Sequence, residues 1–428
     1  MAGAERGTLH LRRHLVAGHR GWLTGCPPNR RADGLEPGLV SRQPQSGGEI
    51  IDLLARLVAF ETESGAPNEA LVDFCAEHAA RAGAQVRSVE GPSGRSNLHV
   101  RYGPDEPGGL LLSGHTDVVP AGSGWSTDPY QLTETGGKLQ GRGTADMKGF
   151  IATALAVAAA ADHRQLRAPL HLALSYDEEV GCIGVRGLID HLASQPSCLP
   201  AAVLVGEPTS MRLANAHTGK TAHRVMIQTP SGHSSRARNQ PSAISEAIKL
   251  CAAITVLNAA ENPGGADPSA GNEAFVSANI GTISGGVGLN VLAPECELAF
   301  EIRFGASVDL DCLAAPIWAE VQRIDAELAS VGGGARSIEV AAYPALHTDP
   351  ALPAVRKLGS AIGAGQAIAV DFGCEAGLYA QQLGVPTVIA GPGDIADAHQ
   401  PDEHIDPTQL VRCSEVLHKA VAAFCMAT

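Results

Sequence analysis

The chain has 428 residues, of which 44% are hydrophobic and 18% charged, a composition typical of a globular protein with a sizeable core. Its formal net charge of −14 excludes general affinity for nucleic acid or an anionic membrane surface, and we expect neither as a partner. The ten cysteines form no CxxC pair, so we expect reduced thiols in a cytoplasmic protein. The apolar run at 151–161 is shorter than the roughly 20 residues that span a bilayer.

Residues 1–48 differ from the rest of the chain because they are rich in Arg, Gly and Pro, poor in acidic residues and without sustained periodicity. They also lack the apolar stretch of a secretory signal. We expect a disordered N-terminal extension or an upstream start codon in the gene. The arginine content leaves a transit peptide open as an alternative.

From Glu49 the chain predicts helices alternating with buried strands. "EIIDLLARLVAF" has helical spacing of apolar residues, and a second helix is predicted between Pro67 and Gly83. Strands are predicted in "NLHVRYG", "GGLLLSGHTDVV", "PLHLALSYDEE" and "AAVLVGEP", with helices at 147–161 and 184–193. This alternation predicts an α/β fold, with a mixed sheet covered by helices on both faces.

The pattern changes near Met211. "HRVMIQTPSGHSS", a helix at 243–257, "FVSANIGTISGG" and "CELAFEIRF" predict a two-layer α+β insertion that runs to about Gly334. "AIAVDFGCEAGLYAQQLGVPTVIAGPG" then resumes the buried-sheet pattern. The prediction is a main domain at 49–211 and 335–428, interrupted by a smaller domain at 212–334.

Ionisable residues gather where the predicted strands end, which is where open α/β sheets bind ligands. Strand alternation predicts that His115 and Asp117 point the same way and can form a hydrogen-bonded pair. The other strand ends supply Asp146, Glu178, Glu179, Glu207 and His399. A lone acidic residue there is more often a helix cap or a solvated loop residue. Several carboxylates on one rim, however, repel each other unless cations lie among them.

Two histidines and several carboxylates are the ligand types of a dinuclear zinc, cobalt or manganese centre, in which one carboxylate bridges ions about 3.5 to 4 Å apart. Magnesium would prefer fewer histidines. Glu178 and Glu179 are adjacent and cannot face one ion identically. One can therefore bind metal while the other acts on the attacking water as general base.

Seven strings carry a family resemblance: "SGHTDVVPAG", "GRGTADMKG", "YDEEVGC", "GEPT", "SGHSS", "GGVGLNV" and "GPGDIADAHQPDEHI". Their order and spacing over about residues 49–425 resemble the zinc-dependent aminoacylase and carboxypeptidase G2-like metallopeptidase family. They look most like its acetylornithine-hydrolysing branch. The resemblance implies that the main domain is catalytic and that the insertion is a lid and dimerisation domain. It also implies a homodimer and two divalent ions, Zn²⁺ or alternatively Co²⁺.

The resemblance also implies a metal-ligand set. His115, Asp146 and Glu207 resemble the ligands of one ion. Asp146, Glu179 and His399 resemble the ligands of the second, so that Asp146 bridges the two.

Further roles are implied by the same motifs. Glu178 matches the family's general base, and Asp117 matches the residue that orients the first histidine ligand through its other ring nitrogen. His233 matches a histidine that stabilises the oxyanion in the partner subunit's active site, with a local turn cap as its alternative. Asn290 and Arg303 match residues that hold the substrate carboxylate, while Arg303 could instead be a sheet-surface cation.

Two features depart from the family. Cys374 stands where these enzymes usually carry Thr or Ser, just before Glu375, and the N-terminal extension has no counterpart. "VIAGPGDIA" reads G-x-G-x-x-A, but Pro401 and Pro407 disfavour the long helix that a dinucleotide site needs.

The expected activity is hydrolysis of the amide bond of an N-acyl L-amino acid. N2-acetyl-L-ornithine, giving L-ornithine and acetate in arginine biosynthesis, is the first expected substrate. A desuccinylase, a dipeptidase or a carboxypeptidase stays open. So does a catalytically silent metal-binding scaffold.

Overall fold

The computed structural model describes residues 47–196, 199–259, 267, 270–363 and 365–426. The N-terminal extension predicted for 1–48 lies outside this part, except that Gly47 and Gly48 begin the first helix. The eight cysteines that the structure describes are free thiols. Among the described helices, none combines the length and the apolar character that crossing a membrane requires.

Helices are numbered in chain order. Within the described ranges they are α1 (Gly47–Val58), α2 (Glu69–Arg81), α3 (Gly149–Ala160), α4 (Val185–Ala193), α5 (Ala243–Thr255), α6 (Leu310–Ala329), α7 (Pro353–Ile362), α8 (Ala376–Leu383) and α9 (Pro407–Cys425). Pro407 is the first residue of α9, a position where a missing N–H costs nothing. Directly after the G-x-G-x-x-A segment the described residues form only a short 3-10 turn, Ile395–Asp397, and α9 begins later, so the long helix that a dinucleotide site needs is absent at that position, as predicted.

Strands are numbered in the same way. They are β1 (Gln85–Glu90), β2 (Ser96–Tyr102), β3 (Leu110–His115), β4 (Thr133–Thr135), β5 (Lys138–Gln140), β6 (Leu170–Ser175), β7 (Ala202–Pro208), β8 (Ala214–His217), β9 (Gly219–Gln228), β10 (Gly232–His233), β11 (Val276–Gly285), β12 (Val291–Leu292), β13 (Glu295–Phe304), β14 (Gly334–Tyr343), β15 (Leu346–His347), β16 (Ile368–Val370), β17 (Thr387–Gly391) and β18 (His404–Ile405).

The large sheet is mixed, as predicted. Its order is β1-β2-β6-β3-β7-β17-β8-β15, with β16 beside β8. The central strands β6, β3, β7 and β17 run parallel, while β1, β2 and β15 pair antiparallel to their neighbours. Every residue of β3, β6 and β7 is buried, which is typical of a sheet covered on both faces.

Alternate residues of β3 supply two separate cores. Leu110 and Leu112 pack into a core with apolar residues of α1, α3 and α9. Leu111 points to the other face and packs into a core with α4 and α8. The continuous apolar run before His115 is therefore divided between the two faces, and helices cover both of them.

A smaller antiparallel sheet has the order β11-β13-β9-β14. Helices α5 and α6 pack on it through side chains such as Leu250 and Ile324, which share one buried apolar core with Leu298 and Ile302 of β13. The alternating buried and half-buried positions of β13 show that one face of this sheet is covered. The two layers agree with the predicted α+β insertion.

The chain passes from the large sheet to the small sheet and back at residues other than the predicted boundaries, 212 and 334. Strand β8, at Ala214–His217, still pairs within the large sheet, whereas β14, at Gly334–Tyr343, pairs with β9 in the small one. Five of the ten residues of β14, an edge strand, are exposed, among them Ile338 and Val340. Its burial does not alternate along the strand as that of β13 does. The assignment of these layers to separate domains stays a prediction.

Three histidines form a chain of hydrogen-bonded rings between the large sheet and α4. The Nε2 atom of His99 lies 3.0 Å from Nδ1 of His171, and its Nδ1 atom lies 3.2 Å from Nε2 of His191. Burial lowers the pKa of His99 to about 3 and that of His171 to about 4. These two rings therefore stay neutral in the folded protein where free histidines would become charged.

We expect the free energy of unfolding to decrease as the pH falls from about 6.5 to about 4, because the unfolded chain then binds protons that the folded chain excludes. Each of the two rings contributes at most about 1.4 kcal/mol per pH unit. Urea unfolding near pH 7 and near pH 5 measures this, with His171→Gln as the variant whose pH dependence should be weaker by about one histidine. An equal pH dependence in both proteins would contradict the assignment.

Candidate metal centre

Four neighbouring strands deliver the candidate residues to one edge of the large sheet. His115 ends β3, Glu207 is the last residue but one of β7, Glu178 and Glu179 follow β6, and His399 follows β17. Because β6, β3, β7 and β17 are parallel neighbours, their carboxyl ends lie at the same edge. The sheet therefore gathers residues that are far apart in sequence.

Five of the candidates form two groups that share one residue. The groups are His115, Asp146 and Glu207, and Asp146, Glu179 and His399; within each, the possible ligand atoms lie within 4.8 Å of one another. Asp146 faces both groups, with Oδ1 2.9 Å from Nε2 of His115 and Oδ2 3.1 Å from Nε2 of His399. One oxygen toward each group is the arrangement that a bridging carboxylate requires.

The negative charges of the carboxylates in this cluster are not fully balanced by hydrogen bonds and positive charges of the protein itself. Oε1 of Glu207 is buried and has no hydrogen-bond partner among the described residues. Burial, together with the charge of Asp146, raises the pKa of Glu207, and burial with the charge of Glu179 raises that of Glu178. Divalent cations would satisfy the buried oxygen and favour the charged carboxylates. The residues therefore fit a metal site.

The two histidines present ring nitrogens to the same carboxylates. Nδ1 of His115 donates to the backbone oxygen of Asp117 at 2.8 Å, which leaves Nε2 directed at Asp146. Burial lowers the pKa of His115, but its hydrogen bond with Asp146 and the charges of the neighbouring carboxylates together outweigh burial, and the net shift is upward. Hydrogen bonds with Asp146 and Glu179 raise the pKa of His399 to about 10. A cation could occupy the position of the proton that these pairs share.

Asp117 makes contacts that differ from those predicted by strand alternation. Strand β3 ends at His115, so Asp117 lies beyond the strand, and its carboxylate is 3.7 Å from Nδ1 of His115. The backbone oxygen of Asp117 orients the ring instead. The carboxylate accepts hydrogen bonds from the backbone N–H groups of Glu178 at 3.0 Å and Glu179 at 3.3 Å, and from the hydroxyl of Ser64 at 2.8 Å. Asp117 thereby holds the turn that carries the paired glutamates.

Glu178 belongs to neither of the two groups, yet it lies among them. Its side chain is buried, and its Oε1 atom accepts a hydrogen bond from the thiol of Cys182 at 3.2 Å. The charges of His115, Glu179 and Asp146 all act on its pKa. A carboxylate in this position can move a proton without being a ligand.

Cys374 and Glu375 lie behind the cluster. Burial and the charge of Glu207 raise the pKa of Cys374 well above its ordinary value, so its side chain is a neutral thiol. Glu375 is fully buried and accepts hydrogen bonds from the hydroxyls of Ser113 and Ser175. It therefore ties the start of α8 to strands β3 and β6 directly below the candidate site.

The remaining candidates lie outside the two groups. His233 is exposed, and its Nδ1 atom contacts the hydroxyl of Ser235 at 2.9 Å and accepts the backbone N–H of the same residue at 3.2 Å. Asn290 lies beside it, since its backbone oxygen accepts a hydrogen bond from the residue after His233. Arg303 is on β13, where its Nε atom donates to Glu301 at 3.0 Å. In this structure His233 makes the contacts of a local turn cap.

Comparison with known proteins identifies the family. Residues 111–423 match the family described as Peptidase family M20/M25/M40. The chain belongs to this family. The family predicted from the motifs is therefore confirmed, and the chain is a member of a hydrolase family.

A relative and two solved structures illustrate the similarity of this M20 protein. Acetylornithine deacetylase from Pasteurella multocida (strain Pm70) is 34% identical over 369 residues, 84% of this chain and 92% of that protein. The M20 family metallo-carboxypeptidase Sso-CP2 from Sulfolobus solfataricus has a TM-score of 0.71 at 14% identity, over 87% of this chain and 98% of that one. YXEP from Bacillus subtilis, a dinuclear metal-binding M20 peptidase, has a TM-score of 0.60 at 13% identity, over 88% and 97%. At such identities the structures establish a shared fold.

Sequence reasoning missed a buried ion pair in this M20 protein, formed by Arg142 and Glu403. The two side chains lie beside Asp146, whose backbone N–H donates to Glu403. A signal was available, because "GRGTADMKG" and "AHQPDEH" each carry a charge of opposite sign near a candidate ligand. Sequence separation hid the pairing.

We expect a calorimetric titration of the metal-free protein with Co²⁺ or Zn²⁺ to give about two ions per chain, one for each group of ligands. Asp146→Ala should lose both ions, because its carboxylate faces both groups. Glu207→Gln should weaken the binding of only one ion, because Glu207 belongs to one group. The control variant Glu415→Gln, on the exposed face of α9, should bind two ions as tightly as the wild type does. A tight ion retained in Asp146→Ala would contradict a shared carboxylate.

Proposed function

We propose that this M20 protein hydrolyses the amide bond of N-acyl L-amino acids, with N2-acetyl-L-ornithine as its preferred substrate. The observation that carries the proposal is the pair of three-residue groups sharing Asp146, with Glu178 buried among them but outside both. The acetylornithine deacetylase relative from Pasteurella multocida, at 34% identity over 92% of its length, supports the choice of substrate.

The proposed metal ligands are the residues of the two groups. His115, Asp146 and Glu207 would hold one divalent ion, and Asp146, Glu179 and His399 would hold the other, with zinc as the first expectation and cobalt as the alternative. When bound, two such ions supply Lewis acidity for the amide carbonyl and for the attacking water.

Glu178 is the proposed proton carrier. It takes a proton from the water that attacks the carbonyl carbon, and it delivers that proton to the amine nitrogen as the C–N bond breaks, so that acetate and the free amine leave. Its backbone N–H bond to Asp117 and the thiol of Cys182 on Oε1 hold the carboxylate in position. Burial excludes bulk water from this exchange.

Arg303 of the small sheet and Asn290, just before β12, complete the proposed site. Arg303 would pair with the substrate carboxylate, assisted by Asn290. Arg303 is near Tyr343, and the pKa of Tyr343 responds to burial and to the charges of Cys182, Arg303 and Glu178. The side chain of Tyr343 is therefore influenced by both Arg303 and the proposed base, which supports placing the substrate carboxylate on this side.

We expect purified protein with added zinc or cobalt to show its highest kcat/KM on N2-acetyl-L-ornithine among acetyl, formyl and succinyl amino acids, dipeptides and carboxypeptidase substrates. The free L-amino acid and the released acid should appear in equal amounts, measured by chromatography. A succinyl substrate or a dipeptide as the best substrate would reassign the specificity. No hydrolysis of any of them, with two ions bound, would favour the silent scaffold.

The roles of the two neighbouring glutamates are tested by comparing the variants Glu178→Gln and Glu179→Gln in the same assay. The first should lower turnover by about 10² to 10⁴ while both ions stay bound, because it removes the proton carrier and no ligand. The second should weaken the binding of the ion that Glu179 holds together with His399. Equal metal loss in both variants would contradict this division between neighbouring residues.

His233 is proposed to act across a dimer interface. It lies on β10, which pairs with β12, so that His233 stands opposite Val291. The turn just before β12 exposes two large apolar residues, with Val287 73% exposed and Leu289 fully exposed. An exposed apolar ribbon of this kind favours contact with a second copy. We infer that His233 of one chain would donate to the oxyanion in the site of the other when the lid closes.

Mixing inactive His233→Ala protein with inactive Glu178→Gln protein should restore up to about a quarter of wild-type activity, because half of the dimers are mixed and each has one intact site of two. The measurement is the deacetylation rate after subunit exchange, which differently tagged chains would report. If exchange occurs and no activity returns, His233 is a local turn cap and the shared site is excluded.

A further inference from the structure

The buried ion pair beside the metal centre has no part in the proton transfer proposed above. Nη1 of Arg142 lies 2.6 Å from Oε2 of Glu403, and the side chains are 2% and 1% exposed. The guanidinium also lies over the ring of Trp125, 5.1 Å from its centroid. A buried ion pair is weak evidence of a gain in stability, because both charges lose their hydration. Its contacts with neighbouring segments therefore matter more than the pairing alone.

The free oxygen of Glu403 holds the backbone of the shared residue. Oε1 accepts the N–H groups of Ala145 at 3.0 Å and Asp146 at 3.1 Å. Asp146 has φ −124° and ψ 95°, which is not helical, although it lies in the short helical turn Thr144–Lys148 that leads into α3. Regular helix hydrogen bonding therefore does not set the direction of its carboxylate. The contact with Glu403 does so from outside the segment.

The same pair reaches the two segments on either side. Nη2 of Arg142 donates to the backbone oxygens of Pro120 at 3.3 Å and Ala121 at 3.4 Å, in the loop that follows His115. Glu403 lies in the loop that follows His399, and its backbone oxygen accepts the N–H of Gly141 at 2.9 Å. Three segments of distant sequence meet at this pair, and each carries one of the proposed ligands.

We propose that Arg142 and Glu403 are positioning residues that set the spacing between the two metal sites, by holding the peptide of Asp146 between the loops that follow His115 and His399. The inference rests on the proposed function, since it takes each group to hold one ion. Partners behind a ligand commonly change metal affinity by about 10- to 100-fold when they are removed. If the ion pair were merely structural, removing one partner would lower the stability of the protein and leave its metal affinity unaltered.

The test is metal binding by Glu403→Gln, which keeps an oxygen for the two N–H groups and removes the charge facing Arg142. Calorimetric titration of the metal-free protein with Co²⁺ should show at least about tenfold weaker binding of one or both ions, and the visible absorption of the cobalt-loaded protein should change shape. Glu246→Gln is the matched control. Glu246 is a buried carboxylate on α5, paired with Lys249 at 2.8 Å in the small layer, and its loss should leave both affinities unchanged.

The outcomes separate this inference from the proposed function. Wild-type protein that binds fewer than two ions overturns the proposed function and the inference with it. Wild-type protein that binds two, together with Glu403→Gln that binds both as tightly and gives the same cobalt spectrum, overturns the inference alone. If Glu403→Gln does not fold, Arg142→Lys replaces it, because lysine keeps the charge but cannot reach Glu403, Pro120 and Ala121 together. Unchanged affinity in that variant overturns the inference equally.

Discussion

The candidate site depends on the carboxylate of Asp146, which contacts His115 with one oxygen and His399 with the other. Burial raises the pKa of a carboxyl group, but here the hydrogen bonds of the two imidazoles outweigh burial and keep the pKa of Asp146 below its ordinary value. Glu178 and Glu207 have no such compensation, and their pKa values rise. This uneven distribution of charge fits a site for cations better than a set of ordinary ion pairs.

The buried sheet makes this concentration of charge possible. Parallel strands β6, β3 and β7 are mostly apolar and are buried on both faces, so most of their stability comes from burial and not from the polar residues at their ends. Repulsion at one edge is then opposed by burial of whole strands. The buried carboxylate of Glu375, bonded to Ser113 and Ser175, reinforces the sheet immediately below that edge.

The backbone around the cluster is held by side chains from elsewhere in the chain. Asp117 accepts the N–H groups of Glu178 and Glu179, and Glu403 accepts that of Asp146. In each case an acidic side chain outside the two groups fixes the peptide of a candidate ligand, Glu179 or Asp146, and Asp117 also fixes the peptide of the proposed base Glu178. This division explains why the acidic motifs contain more carboxylates than the two three-residue groups use.

The sequence by itself determined the mixed α/β fold, the inserted layer, the family and the residues that gather at the sheet edge, because strand periodicity and strand-end motifs are local properties of the chain. It did not determine that β14 belongs to the small sheet, because the pairing of β14 with β9 is a long-range contact that no local pattern specifies. Nor did it show that the backbone of Asp117, and not its carboxylate, orients His115, since that depends on where β3 ends. The pairing of Arg142 with Glu403 was decided only by tertiary structure, because two charged motifs distant in sequence do not show which of their residues will meet.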